Sequence, residues 1–347
     1  MKGKHMNKTF LKLSLLLSTA LFLNAQTINI VIPEVPKVTA KVPKPPKLSV
    51  TTSGDYKTNE EILKEATQKK VVHFSNHVAP VHIEPKDAAD KKILVGDVKN
   101  GQVTAYLHAP LMTPKEVKSI LEGAGFHVLT TFKVDKKGLV NSIIFTNDEI
   151  IQLASQKGHG FAATLHITVD KKNSLISITN PIYVMAAFMQ DKYDAKIANT
   201  TLTTLRDAFK NLKNSNEESK FRMLKEYQFM AGMPKYGDMQ IIKKLSSDEL
   251  LKKAKKSKKI VYEQKLSNGS TLIGVKLSKR TSKFIKKTGY QDAGLLPYPV
   301  LIEDGEAKIL DPKYYIAVMY PMLKMSQFMT IATVPGAINK DIDRVFR

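Results

Sequence analysis

At 347 residues the chain exceeds one ordinary domain and has room for two, and its 43% apolar content supports packed cores and excludes wholesale disorder. Lys and Arg outnumber Asp and Glu 54 to 32, a net charge of +22, and there is no cysteine. The missing thiol excludes cysteine nucleophiles, thiol redox chemistry, Cys-ligated zinc, covalent c-type haem and lipoprotein acylation.

The opening MKGKHMNKTFLKLSLLLSTALFLNAQ sets Lys2, Lys4, Lys8 and Lys12 ahead of an apolar run over residues 13–23, with small residues near Ala25. That layout predicts a cleavable secretory signal over residues 1–25 and a periplasmic protein. The alternative is an uncleaved membrane anchor, although the run is shorter than the ~20 residues that span a bilayer. Export removes four lysines and takes nucleic acid off the partner list. The remaining charge then faces an anionic membrane surface, acidic polysaccharide or an acidic envelope protein. It is otherwise a solvated lysine surface, as KKAKKSKK at residues 252–259 would form on a helix.

Residues 26–54 carry Pro33, Pro36, Pro43, Pro45 and Pro46 among lysines and valines, which predicts an extended polyproline-like spacer. Residues 55–100 are read as a short helix, capped by Thr58 with Glu61, followed by a histidine-containing segment.

From there the pattern predicts an α+β protein made of two tandem copies of a β-α-β-β-α-β-β-α unit, antiparallel sheet covered by helices, at residues 101–191 and 238–347. The first copy runs QVTAYLHA as a strand, then Thr113 and Glu116 as a capping box, with Val117, Ile120, Leu121 and Ala124 on one helical face. A hairpin turns over residues 135–138. Thr146 and Glu149 form a second box, a second hairpin follows, and Asn180-Pro181 opens the third helix. The second copy repeats the order with DMQIIKKL, the Ser246–Glu249 box, a hairpin at Asn268-Gly269, a helix capped by Ser278, a hairpin at Asp304-Gly305, and Asp311-Pro312. The offset is 131–133 residues throughout, from Thr113 to Ser246 and from Pro181 to Pro312.

At Asn180-Pro181 and Asp311-Pro312 a side-chain oxygen meets free helix N–H groups and proline takes the position that needs no donor. Pro321 should kink or end the last helix. Residues 192–237 between the copies read as a polar helical linker. Two such sheets pairing within one chain would leave a groove between them for a ligand.

The stretch TLIGVKLSKRTSKFIKKTGYQDAGLLPYPVLIEDGEAKILDP resembles the domain-of-unknown-function 302 family, whose Leu-Leu-Pro motif appears as Leu295, Leu296 and Pro297 after Gly294. Where that family often has cysteine, this chain has Tyr298. The first copy keeps the hairpin in GHGFAATLHITVDKKN but lacks Leu-Leu-Pro. The resemblance implies a small α+β sandwich prone to pair with its like, and it brings no established activity.

All eight histidines precede residue 167. His73, His77 and His82, with Glu84 nearby, are weak candidates for metal or haem ligation, since Pro80 interrupts any helix that would align them. His108, His127 and His166 fall on predicted strands. No hydrolase elbow, zinc-protease, phosphate-loop, EF-hand or dinucleotide pattern occurs, so no catalytic residue and no cofactor is assigned. Met319, Met322, Met325 and Met329, with Tyr314, Tyr315 and Phe328, are either core or an adaptable apolar surface. The expectation is therefore an exported, non-enzymatic protein that binds a small apolar or anionic ligand or an envelope protein partner. The alternative is a metal- or haem-handling envelope protein using the His-rich N-terminal half.

Overall fold

A computed structural model describes residues 93–290 and 293–347, which all fall within one compact unit. The signal segment, the proline spacer, the Thr58-capped helix and His73, His77 and His82 lie outside the described residues.

The strand expected at QVTAYLHA is two strands, β1 (Gln102–Thr104) and β2 (Tyr106–Pro110). The break falls at Ala105, whose N–H donates to Glu217 O and whose carbonyl accepts from Asn180 N, so a remote segment and a helix cap take its backbone groups. Helix α1 (Pro114–Gly123) starts from the reciprocal Thr113–Glu116 box and buries Val117 and Leu121. Strands β3 (His127–Lys133) and β4 (Val140–Thr146) join through a turn in which Asp135 Oδ1 accepts from the amides of Leu139 and Val140. Helix α2 (Asp148–Ala154) is capped by Asn147 rather than Thr146. Thr146 still pairs with His127 in the sheet, so the first side chain free to turn back is Asn147, whose Oδ1 accepts from Ile150 N at 2.8 Å.

A 3₁₀ turn (Gly160–Ala163) leads to β5 (Leu165–Asp170), β6 (Leu175–Thr179) and α3 (Pro181–Met189). Residues 192–237 are helical only in part. After α4 (Ala195–Ala208) come β7 (Lys213–Asn214), β8 (Glu218–Lys220) and a 3₁₀ turn (Phe221–Glu226). The helix stops at Phe209, whose backbone is extended, and the chain beyond it pairs with β2 and β1 instead.

Strand β9 (Gln240–Lys244) precedes α5 (Ser247–Lys256), which opens on the Ser246–Glu249 box, and then β10 (Ile260–Lys265) and β11 (Thr271–Val275). Ser278 Oγ accepts from Thr281 N, but the segment it caps is a 3₁₀ turn (Thr281–Phe284) running into a single α turn, α6 (Ile285–Thr288). Strands β12 (Tyr298–Glu303) and β13 (Glu306–Ile309) follow, then α7 (Pro312–Met319), α8 (Met325–Thr330) and α9 (Val334–Asp343). Helix α7 ends two residues before Pro321, which has no N–H to continue it.

The class is α+β. A six-stranded sheet has the order β3-β4-β5-β6-β2-β7, a five-stranded sheet the order β10-β11-β12-β13-β9, and β1 pairs with β8 alone. The strand pairs are antiparallel. At the heart of the core lie α3, buried at every position from Pro181 to Met189, and α7, buried at all but Lys313. A helix apolar all round belongs in an interior. Their caps are also tied inward. Asn180 Oδ1 accepts from Ile182 N while its Nδ2 donates to Gly96 O and Thr104 O, and Asp311 accepts from Lys313 N and Gln240 Nε2. The two helices cross-connect through their tyrosines: Tyr183 Oη donates to Val318 O at 2.7 Å, and Tyr314 Oη to Ala187 O at 3.2 Å.

Candidate functional site

The space expected as a groove between the two sheets is filled by α3, α7 and their neighbours. What remains there is a cavity of about 10 Å³ lined by Phe161, His166, Thr179, Phe188, Gly294 and Tyr315 among others, room for about one water. Leu295 and Leu296 are buried beside it, and the Leu296–Pro297 peptide is cis.

The larger opening is a cleft of about 420 Å³ elsewhere on the molecule. It is lined by Ile93, Asp97 and Val98 from the segment before β1, Ile182 in the first turn of α3, Tyr193, Ala195 and Asn199 on α4, and Phe221. Local chemistry sets each part. Asp194 caps α4 by accepting from Lys196 N and Ile197 N, which places Tyr193 just outside the helix. The Tyr193 and Phe221 rings meet edge to face, 5.6 Å between centroids. Burial, and then the neighbouring Asp194, push the Tyr193 phenol up to about 12, so it stays neutral at ordinary pH. Asp97, the one acid of the cleft, is already engaged: Arg206 Nη2 lies 2.5 Å from its Oδ1, Leu94 N donates to its Oδ2, and Arg206 Nε bonds Val95 O. The cleft therefore offers apolar and aromatic walls, one neutral phenol and the Asn199 amide, and no free charge among the described residues. That suits a small molecule with a largely apolar body.

The histidines of the strands do not converge. His127 is exposed, with Nε2 3.1 Å from Asp148 Oδ1. His108 and His166 stand two strands apart on one face of the six-stranded sheet, in a polar band that the residue types alone do not reveal. His108 pairs with Ser177, Ser177 with Thr168, and Thr168 with Ser142, a continuous row across β2, β6, β5 and β4. Burial lowers His108, with Glu217 acting against it, and lowers His166 to about 4, with the Gly294 backbone acting against it. His108 Nε2, His166 Nδ1 and the hydroxyls of Ser142, Thr168 and Ser177 are buried without a hydrogen-bond partner among the described residues. No base among the described residues is hydrogen-bonded to those hydroxyls. No group of three or more His, Asp or Glu side chains able to hold a metal occurs among the described residues.

Of the apolar residues expected as either core or surface, Tyr314, Tyr315, Met319 and Phe328 are core, whereas Met322, Met325 and Met329 are exposed. No helix among the described residues is long and apolar enough to cross a membrane. The fold and cleft define an α+β protein with an aromatic-walled opening whose one described acid is ion-paired. Comparison with protein-family models, with curated proteins and with solved structures finds no match.

Proposed function

We propose that the chain is an exported, periplasmic, non-enzymatic protein that holds a small, largely apolar ligand in the cleft between residues 93–98, α3, α4 and Phe221. One observation carries this reading: an opening of about 420 Å³ walled by Ile93, Val98, Ile182, Tyr193 and Phe221, with its single acid neutralised by Arg206. Small-molecule sites have this size and makeup.

The scaffold is, on this reading, two copies of one β-α-β-β-α-β-β-α unit at residues 101–191 and 238–347, related to the domain-of-unknown-function 302 family and paired within the chain. The strand orders β3-β4-β5-β6-β2 and β10-β11-β12-β13-β9 support it by corresponding one for one. The reciprocal bonds support it too, because Tyr183 and Tyr314 differ by the same 131 residues as their acceptors Ala187 and Val318. The cleft draws Tyr193, Ala195, Asn199 and Phe221 from residues 192–237, the segment between the copies.

Native mass spectrometry of the full chain taken from its host's periplasmic fraction reads any small molecule carried along, and displacement of a fluorescent apolar probe reads the cleft. Saturable binding of about one probe per chain is expected. Tyr193→Ala or Phe221→Ala should weaken it at least tenfold, since each removes ~1.5–3 kcal/mol of apolar contact. Probe binding that never saturates, or variants that bind as tightly as the parent, would overturn the assignment.

A further inference from the structure

The chain after α7 carries exposed methionines in a run of sequence, residues 312–340, that has no acid. Met322 is 58% exposed, Met325 37% and Met329 63%. Met325 and Met329 are four apart on α8 and share a face, and Met322 sits in the turn that leads into it. Phe328 anchors α8 from beneath, buried with its ring 5.4 Å from Phe229, and the next residue to Phe229, Met230, is itself 49% exposed. The anchor holds the helix down while its methionines stand out.

Cations flank this face. Lys287 Nζ donates to Thr330 O at 2.8 Å and so joins α6 to α8. Lys283, Lys286 and Lys324 are exposed around that junction. Neither residues 264–290 nor residues 312–340 contain an Asp or Glu, and Asp341 just beyond them is engaged by Ser278 N and Arg344. Protein interfaces are enriched in aromatic anchors and methionine and depleted in lysine. This face has the methionines, but its Phe328 ring is buried and what protrudes stands among lysines, a charge that complements lipid phosphate.

We propose that this face docks on an anionic lipid bilayer, with Met322, Met325 and Met329 entering the boundary between headgroups and acyl chains and Lys283, Lys286 and Lys324 meeting lipid phosphates. Interfacial binding of this kind adds buried apolar area to attraction for anionic lipid. The cleft and its ligand play no part in it.

The chain has no tryptophan, so Met329→Trp in the full chain gives a lone reporter. Its emission should shift to the blue with vesicles of phosphatidylglycerol and not with vesicles of phosphatidylcholine, and the shift should reverse in 1 M salt, where the Debye length falls to ~3 Å. In sedimentation with phosphatidylglycerol vesicles, the combined Lys283→Gln, Lys286→Gln and Lys324→Gln variant should bind about a hundredfold more weakly, from ~1 kcal/mol per lysine. The Met322→Ser, Met325→Ser and Met329→Ser variant should lose at least tenfold. Both comparisons keep the same N-terminus, so attraction of residues 13–23 for lipid cancels. Equal binding to both vesicle types would overturn the proposal. So would methionine variants that bind like the parent, or vesicles left untouched by a protein that is captured by an acidic polypeptide.

Discussion

Replacing Tyr183 by Phe removes one oxygen and keeps the ring that packs around it. The lost hydroxyl donates to Val318 O at 2.7 Å, with both residues buried. Val318 lies in the last turn of α7, where carbonyls have no amide ahead of them in the helix. Three consecutive carbonyls there are met by tyrosine hydroxyls from three separate parts of the chain: Ala317 O, which also accepts from Tyr320 N, by Tyr227 at 3.0 Å, Val318 O by Tyr183, and Met319 O by Tyr106 at 2.6 Å. In Tyr183→Phe the Val318 carbonyl stays buried and unpaired, so the cost is the desolvation penalty of ~1–3 kcal/mol rather than the smaller net worth of a hydrogen bond. Against a total stability of about 5–15 kcal/mol this is easily read. Tyr314→Phe removes a longer bond, 3.2 Å, to Ala187 O, which keeps the Gln190 side-chain amide as a donor, so its cost should fall below that range, at about 0.5–1 kcal/mol. Tyr290→Phe serves as the control. Its ring, 3.9 Å below Lys172 Nζ, is preserved, and the expected change is under about 0.5 kcal/mol. Urea titrations followed by circular dichroism measure all three at unchanged slope. A Tyr183→Phe protein within about 0.5 kcal/mol of the parent, or a control that loses as much, would refute the reasoning.

Burial holds the phenols of Tyr183, Tyr236, Tyr298, Tyr314 and Tyr315 above their ordinary value. The unfolded chain therefore loses those protons first, so stability is whole below pH ~10 and falls above it by up to ~1.4 kcal/mol per pH unit for each phenol. Tyrosinate absorbance and loss of circular dichroism should then rise together in one steep alkaline transition; tyrosinate appearing in a folded protein would contradict this. His166, lowered to about 4 by burial, works in the other direction. Above pH ~6.5 its contribution is whole, and about 3 kcal/mol is lost as pH falls to 4. Denaturant midpoints of His166→Gln measured across that window should fall less steeply than the parent's. Thr168→Val replaces a buried hydroxyl that has no partner among the described residues, and should raise stability by roughly 1 kcal/mol. A loss of similar size in thermal or urea unfolding would mean that the hydroxyl is paired.

Helix starts were legible because their chemistry is local. Thr113 with Glu116 and Ser246 with Glu249 lie three residues apart, and in each pair both members bond as spacing alone implies. The box at Thr146 slipped by one residue because the sheet kept Thr146, a fact held in its pairing with His127 rather than in its neighbours. The break at Ala105 was invisible for the same reason, its partner being Glu217, over a hundred residues away. The cleft draws its walls from residues 93–98, 182, 193–199 and 221, and no period or motif links those positions. The polar row was half visible: His166, Thr168 and Asp170 alternate as a strand should, but whether their polar atoms find partners depends on what packs above them.

The two proline-started segments show how far local reading reaches. Asn180 and Asp311 account for where α3 and α7 begin, yet helices of nine and eight residues are too short to persist alone. Neither has a polar face to present to water, so each is stable only when covered on all sides. Near the end of each, a carbonyl accepts from a tyrosine near the start of the other helix, Val318 O from Tyr183 and Ala187 O from Tyr314, the latter alongside the Gln190 side-chain amide. The third helical position, Tyr183 in one and Tyr314 in the other, is thus fixed by the partner helix rather than by its own. The end of α7 is completed only when α3 is in place, and α3 gains a second donor at Ala187 O when α7 is, so docking stabilises both. Ile182, a wall of the cleft, is the neighbour of one of those tyrosines, so the shape of the opening is set by the same contact that joins the two sheets.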